Sequence, residues 1–248
     1  MAEPTAEELL LLMHFDGADE ATSTVDSSGN SNSVAFIGAT AKIDSAHAKF
    51  GDTSLYCDGL GTSYVEVDLT SVFADWDFGS GDFTIEYQYY SETTAGGDEI
   101  VGFNPSGNLH ASVLQSNNNL VMEYSANGAT KVQTDSLSNV ADAVWEHIAL
   151  VRSGATLSAY LNGVAGAVSA DMTGITLHAL DAAARFTIGR TANGWIDEVR
   201  VSKTAVYTGN FTPPTEAFVG GGGGASGRGL TRGLTRGLTR AITRNIGA

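Results

Sequence analysis

The sequence predicts an all-β protein, a two-sheet antiparallel jelly-roll sandwich followed by an extended C-terminal tail. Three observations predict it. Short stretches alternate apolar and polar side chains with period two, and no segment sustains a helical period. Turn residues separate these stretches at close intervals, and Asn162-Gly163 is the strongest two-residue hairpin signal. The composition is rich in small residues, with 30 glycines but only four prolines. That suits many short strands joined by tight turns.

The elements follow in order. Leu9 to Phe15 is a continuous apolar run, read as a strand buried on both faces and ended by Asp16-Gly17. Asp26-Ser27-Ser28-Gly29-Asn30 is a turn cluster, where Asx side chains bond local backbone. Ala35 to Ile43 reads as one strand, then Ser54 to Asp58, then Tyr64 to Leu69. Asp82 to Tyr90 is the longest aromatic strand, with Phe83, Ile85, Tyr87 and Tyr89 on one face. Strands are expected at Glu99–Phe103, His110–Gln115, Leu120–Tyr124 and Lys131–Thr134, with Asn117-Asn118-Asn119 as a hairpin turn. Trp145–Arg152 and Thr156–Leu161 form a further hairpin, and Phe186–Gly189 precedes the closing strand. In Gly194–Val201, strict alternation puts Trp195, Asp197, Val199 and Val201 on one face and Ile196, Glu198 and Arg200 on the other. Pro213-Pro214 then ends the sheet. Val140–Trp145 or Leu180–Arg185 would supply a single helical turn.

Charge divides the chain. Of 13 basic residues, five (Arg228, Arg232, Arg236, Arg240, Arg244) follow Gly220, while all 28 acids precede it. The body thus carries −20 and the tail +5. An acidic body repels nucleic acid and anionic membranes, so neither is expected as a partner. Cys57 is the single cysteine, which rules out an internal disulfide and reads as a buried structural thiol. The acidic Met1–Glu8 stretch lacks a basic leader, so synthesis in the cytosol is expected. The organisation is then an arm (1–8), a β-domain (9–219), a glycine-rich linker (220–227) and a basic tail (228–248).

Several stretches, in order, resemble the laminin-G-like jelly rolls of the concanavalin A-like lectin/glucanase group. They are Met13-His14-Phe15-Asp16-Gly17, Asp26 to Asn30, Lys49-Phe50-Gly51 followed by Leu55 and Asp58-Gly59, Asp82-Phe83-Thr84-Ile85-Glu86, Trp145-Glu146-His147-Ile148-Ala149, Leu157 to Asn162-Gly163, Gly194 to Val201 and Tyr207 to Pro214. Together they cover roughly residues 9–218. The resemblance implies two antiparallel sheets, one concave, and a binding or spacer role. Such domains recur in tail, fibre and capsid-associated proteins of bacteriophages, and the Tyr207–Pro214 ending is similar to the phage and bacterial versions. Such domains often carry a structural calcium near the first and last strands, and the matching positions here are Asp16, Asp26, Asn30 and Asp197. The residues also read more plainly: Asp26 and Asn30 building a turn, Asp197 bonding backbone amides.

Catalysis is not expected. Retaining glucanases need two carboxylates about 5–5.5 Å apart on one strand face. Glu66-Val67-Asp68 starts such a pattern, but Thr70 stands where the second Glu belongs. Asp82, Glu86 and Glu198 read as caps or solvated strand residues. The five histidines show no metal-ligand spacing. A glycan site would need an exposed aromatic platform with amides, for which Trp76, Tyr90, Asn104 and Asn117 are candidates. Trp145 and Trp195 are expected in the core.

The tail repeats Gly-Leu-Thr-Arg three times from Gly229, with a degenerate Ala241-Ile242-Thr243-Arg244 copy. The glycines oppose a helix. In an extended chain Leu230, Arg232, Leu234, Arg236, Leu238, Arg240, Ile242 and Arg244 share one face, a strip able to add to a partner's sheet edge. The expectation is a non-enzymatic virion structural protein (capsid decoration, fibre or appendage subunit), made in the host cytoplasm. It would dock on other virion proteins or sister subunits through residues 228–248 and act as a homo-oligomer. The alternative is a carbohydrate-binding module of a surface protein, with a host-surface glycan as partner.

Overall fold

In the computed structural model, residues 3–93, 97–103, 110–116, 119–138 and 140–220 are described. Strands are numbered in chain order. A nine-stranded antiparallel sheet runs β13 (Val164–Ala165), β12 (Thr156–Leu161), β11 (Trp145–Ser153), β6 (Phe83–Ser91), β16 (Asn193–Ser202), β4 (Ser54–Asp58), β3 (Lys42–Asp44). To it are added β1 (Leu9–Met13) against β16 and β14 (Ala170–Asp171) against β12. A seven-stranded sheet runs β10 (Val132–Ser138), β9 (Asn119–Tyr124), β8 (Ala111–Ser116), β7 (Gly97–Phe103), β15 (Arg185–Ile188), β5 (Tyr64–Asp68), β2 (Ser33–Ile37). The two enclose one core, a sandwich of the jelly-roll kind.

The core is where the period-two pattern puts it. Phe83, Ile85, Tyr87 and Tyr89 of β6 point inward together, joined by Ile148 and Leu150 of β11 and by Val65, Val67, Phe186 and Ile188 from the facing sheet. Burying each such side chain stabilises the fold by roughly 1.5–3 kcal/mol. Strand β1 is buried on both faces as its unbroken apolar run requires. Leu11 and Met13 join the main core, while Leu9 and Leu12 close on Phe218. Cys57 is buried and burial pushes its thiol pKa up, in keeping with an inert thiol. Asn162 (φ 49) and Gly163 (φ 78) both take the left-handed region, as the two-residue hairpin demands. The Asn117-Asn118 turn lies outside the described residues, although β8 and β9 meet at Ser116 and Asn119.

Three expectations are corrected. Ala35–Ile43 is not one strand. The chain leaves the seven-stranded sheet after β2, turns at Gly38 (φ 83), and enters the other sheet as β3. A side chain at Gly38 would sit 2.2 Å from the Thr62 carbonyl, so only glycine fits that crossing. Among the described residues the helical turn is α1 (Phe73–Trp76), and neither Val140–Trp145 nor Leu180–Arg185 is helical. In β16 the alternation breaks. Glu198 has φ 51, the register with β6 shifts between Asp197 and Arg200, and the faces exchange. Trp195 and Asp197 lie outside, Ile196, Val199 and Val201 inside, and Arg200 outside again.

Candidate functional site

The outer face of the nine-stranded sheet carries a three-by-three array, set by the registers of β11, β6 and β16. Its rows are Trp145–Tyr90–Trp195, His147–Gln88–Asp197 and Ala149–Glu86–Arg200. The bulge at Glu198 creates this order. Without it the third row would receive an inward-pointing apolar residue in place of Arg200.

The first row is aromatic and partly exposed. Tyr90 lies 5.7 Å from both Trp145 and Trp195, edge to face. Tyr56 of β4 adds a ring 5.1 Å from Trp195, and His47 stacks at 4.2 Å on Tyr90 and contacts Trp195 at 4.2 Å. Trp195 is 7 % exposed and the other four rings are partly open. Its indole Nε1 donates to Asp44 Oδ1 at 2.9 Å. Gly194 (φ 138) lets β16 approach β6 here, since a Cβ on it would meet the Tyr90 carbonyl at 2.1 Å.

The second row is polar and buried. Asp197 Oδ2 accepts the backbone N–H groups of Lys49 (2.9 Å) and Phe50 (3.1 Å), and Oδ1 accepts that of Glu198 (2.8 Å). This carboxylate therefore clamps the loop that carries His47 onto the aromatic row. Burial, with the Glu198 charge adding to it, lifts the Asp197 carboxyl to about 7 against the pull of those amides. Gln88 is fully buried between His147 and Asp197.

The third row is an ion-pair network. Arg200 Nε donates to Glu86 Oε1 at 2.8 Å, Tyr207 Oη donates to Glu86 Oε2 at 2.7 Å, and His147 Nε2 lies 3.0 Å from the same oxygen. Glu3 pairs with Arg200 from the N-terminal arm. Burial opposes the Glu86 charge, yet Arg200, His147 and Tyr207 together hold the carboxyl below its ordinary range. The 203–218 segment covers this row. Tyr207 stacks on Phe211 at 3.5 Å, the Phe218 ring lies 4.0 Å under the Arg200 guanidinium, and Phe218 N donates to Glu198 Oε2. His14 Nδ1 is 2.7 Å from Glu198 Oε1, a contact that raises the histidine pKa. Glu86 and Glu198 are thus buried partners, not the solvated strand residues that their spacing suggested.

The sequence candidates scatter over the fold. Trp76 is 1 % exposed, packed against Phe103 and Phe186, and so is no platform residue. Tyr90 is at the centre of the aromatic row. Trp145 and Trp195, expected in the core, are its flanks. Asn104 and Asn117 lie outside the described residues, as do Leu230, Arg232, Leu234, Arg236, Leu238, Arg240, Ile242 and Arg244. Asp26 uses both carboxylate oxygens on Leu12 N, Ser28 N and Oγ, and Asn32 N and Nδ2. Asn30 Nδ2 donates to the Leu9 and Leu10 carbonyls, so this pair caps the edge of β1. Asp16 sits against Gly51 and takes no part in that cap. Among the described residues, the acids whose ligand atoms converge are Asp19, Glu20 and Asp44, within 4.8 Å of one another, not the four expected for calcium. Lys42 lies among them, 2.5 Å from Glu20 and 3.3 Å from Asp44.

Comparison with known proteins agrees with the architecture. The binding domain of Paraclostridial Mosquitocidal Protein 1 superposes with a TM-score of 0.62 at 14 % identity, over 82 % of this chain and 50 % of that one. The binding domain of botulinum neurotoxin serotype D gives 0.60 at 12 % identity, over 82 % and 50 %. A botulinum neurotoxin type C structure, whose cell entry depends on two ganglioside molecules, gives 0.56 at 13 % identity over 82 % and 49 %. The chain spans about half the length of these structures, and at such identities the likeness is one of fold. No curated protein sequence matches. The laminin-G-like family model described as the concanavalin A-like lectin/glucanases superfamily matches residues 58–208. With its jelly-roll sandwich and that match over more than half of its length, the chain belongs to the concanavalin A-like lectin/glucanase superfamily.

Proposed function

We propose that the chain is a non-catalytic carbohydrate-binding module that receives a sugar ring on the Trp145–Tyr90–Trp195 row. One observation carries this reading: five aromatic rings from β4, β6, β11, β16 and the 47–50 loop meet on one partly open surface. Aromatic faces stack on the apolar faces of sugar rings, and the polar tips that such rings leave at the surface orient the hydroxyls. The strand carboxylates beside the row are engaged, Asp44 by the Trp195 indole N–H, Asp197 by three backbone amides and Glu86 by Arg200, His147 and Tyr207, which supports a binding role over acid–base catalysis. Glycan-array binding of the full chain, lost in Tyr90→Ala and Trp145→Ala, is the expected result. Undiminished binding in both variants overturns the assignment.

A second reading concerns where the module is carried. The Gly-Leu-Thr-Arg repeat and the opposite charges of tail and body favour a displayed domain anchored through residues 228–248. We propose a virion as the carrier, with the repeat docking on a neighbouring virion protein or a sister subunit. Deletion of 220–248 is expected to leave the β-domain melting temperature unchanged and to abolish incorporation into particles. Normal incorporation of the shortened chain defeats the anchor.

A further inference from the structure

The body has a receptor for its own basic tail. We infer that a cavity between β1, the 30–32 turn and α1 takes the guanidinium of Arg228 from the same chain. The cavity measures about 200 Å³. Sites for whole small ligands run to roughly 300–1,000 Å³, so this one suits a single side chain. Its rim is rich in acceptors. Asn30 Nδ2 donates to the Leu9 and Leu10 carbonyls, and Asn32 Nδ2 donates to the Leu10 carbonyl and to Asp26. Both amide groups are thereby fixed, and among the described residues neither Oδ1 accepts a hydrogen bond. The exposed carboxylates of Glu7 and Asp75 complete the rim, with Lys203 beside them. Among the described residues no ion pair joins that ammonium to either acid, so the acids keep their capacity for a second cation. Leu10 and Trp76 form an apolar floor. An arginine answers each feature: five N–H donors for amide and carboxylate oxygens, a fixed positive charge, and a methylene stem that lies on apolar surface.

The start of the tail decides whose arginine arrives. A Cβ on Gly220 would lie 3.1 Å from the Ser27 carbonyl, so the tail leaves the body beside the turn that carries Asn30. From Ser27 to Asn30 the chain spans at most about 11 Å. The glycine-rich segment from Gly221 to Arg228 has a mean reach of about 16 Å as a flexible chain, enough to turn back into the cavity. A linker matched to its span presents its cargo at about millimolar effective concentration, which favours the chain's own arginine over a sister copy's. Charge agrees, since the tail carries five arginines and no acid while the body carries −20. The attraction weakens as salt rises. This clip depends neither on the sugar platform nor on a virion. A tail that rests here and never enters a particle would retire the anchor and keep the clip.

Two measurements on the full chain test it. The first is the nuclear magnetic resonance of the Asn30 and Asn32 side-chain amides. Arg228→Gln, a change outside the β-domain, is expected to shift both signals at low salt. Salt added to the native chain is expected to move them the same way. Signals that stay in place in Arg228→Gln overturn the inference. The second uses Arg228→Lys, which keeps the charge and supplies an amine for zero-length carbodiimide coupling to carboxylates. Mass spectrometry is expected to find residue 228 joined to Asp75 or Glu7 roughly fivefold more often than to Glu216, which is closer to the tail along the chain. Equal coupling to all three overturns the inference. Mixing chains of natural and heavy-nitrogen isotope content before coupling decides the source. Linked peptides of one isotope only are the expected result. Mixed pairs mean that the arginine comes from a sister copy, and they overturn the assignment to the same chain.

Discussion

The Asp197 carboxylate accepts the backbone N–H of Phe50 at 3.1 Å across 147 residues of sequence. With Lys49 N on the same oxygen, it ties a loop to the last strand and seats His47 on Tyr90. The site's geometry therefore depends on a buried acid two residues along the strand from Trp195.

That acid sets a pH dependence. Burial raises the Asp197 carboxyl to about 7, from 3.8 in an exposed chain. Between these values the folded protein keeps a proton that the unfolded chain has released. The contribution is full below pH 3.8 and is lost as pH rises through about 7. Asp197→Asn is expected to remove this descent, which has a slope of about 1.4 kcal/mol per pH unit at its steepest. Urea unfolding of both proteins across that range measures it. Parallel pH profiles would refute the assignment.

Glu86 behaves in the opposite sense. Its pKa is held below 4.5 despite burial, so its contribution is present above the unfolded value and lost as pH falls through the folded one. Glu86→Gln leaves Arg200 buried without its main counter-charge. A loss of about 3–5 kcal/mol is expected in denaturant unfolding. Glu3 alone, at the exposed end of the network, is not expected to compensate.

The two classes of tryptophan separate cleanly. Trp76→Ala empties core volume and is expected to cost about 3–5 kcal/mol. Trp145→Ala removes a partly exposed ring, and a loss below about 1 kcal/mol is expected, with glycan affinity falling at least tenfold. Thermal melts paired with titration distinguish them. A large stability loss in Trp145→Ala would place that ring in the core after all.

Gly194 has no room for a side chain. An alanine there would put its Cβ 2.1 Å from the Tyr90 carbonyl at a φ of 138 that alanine avoids. Gly194→Ala is expected to destabilise the protein by about 2–3 kcal/mol and to displace Tyr90. Changed tryptophan fluorescence at matched folded fraction reports the displacement.

Much of the fold was legible because alternation is a local property. The Phe83–Tyr89 face, the buried run of β1 and the Asn162-Gly163 hairpin each follow from neighbouring residues and their backbone preferences. Period two says which side chains share a face. It does not say which face meets the core. That is why Trp76 looked available and Trp145 looked buried, when packing made the reverse choice, and why Trp195, though buried, lies on the outer face of its sheet and not between the two.

The sequence by itself determined the strand-rich architecture, the closing strand, the buried lone thiol and the charge divide between body and tail. Tertiary structure alone decided that Glu198 bulges, that Trp195 and Asp197 therefore face outward beside Tyr90 and Gln88, and that Ala35–Ile43 divides between two sheets. A bulge or a crossing is fixed by the register of strands distant in sequence and by backbone approaches such as Gly38 on Thr62. No local pattern records those.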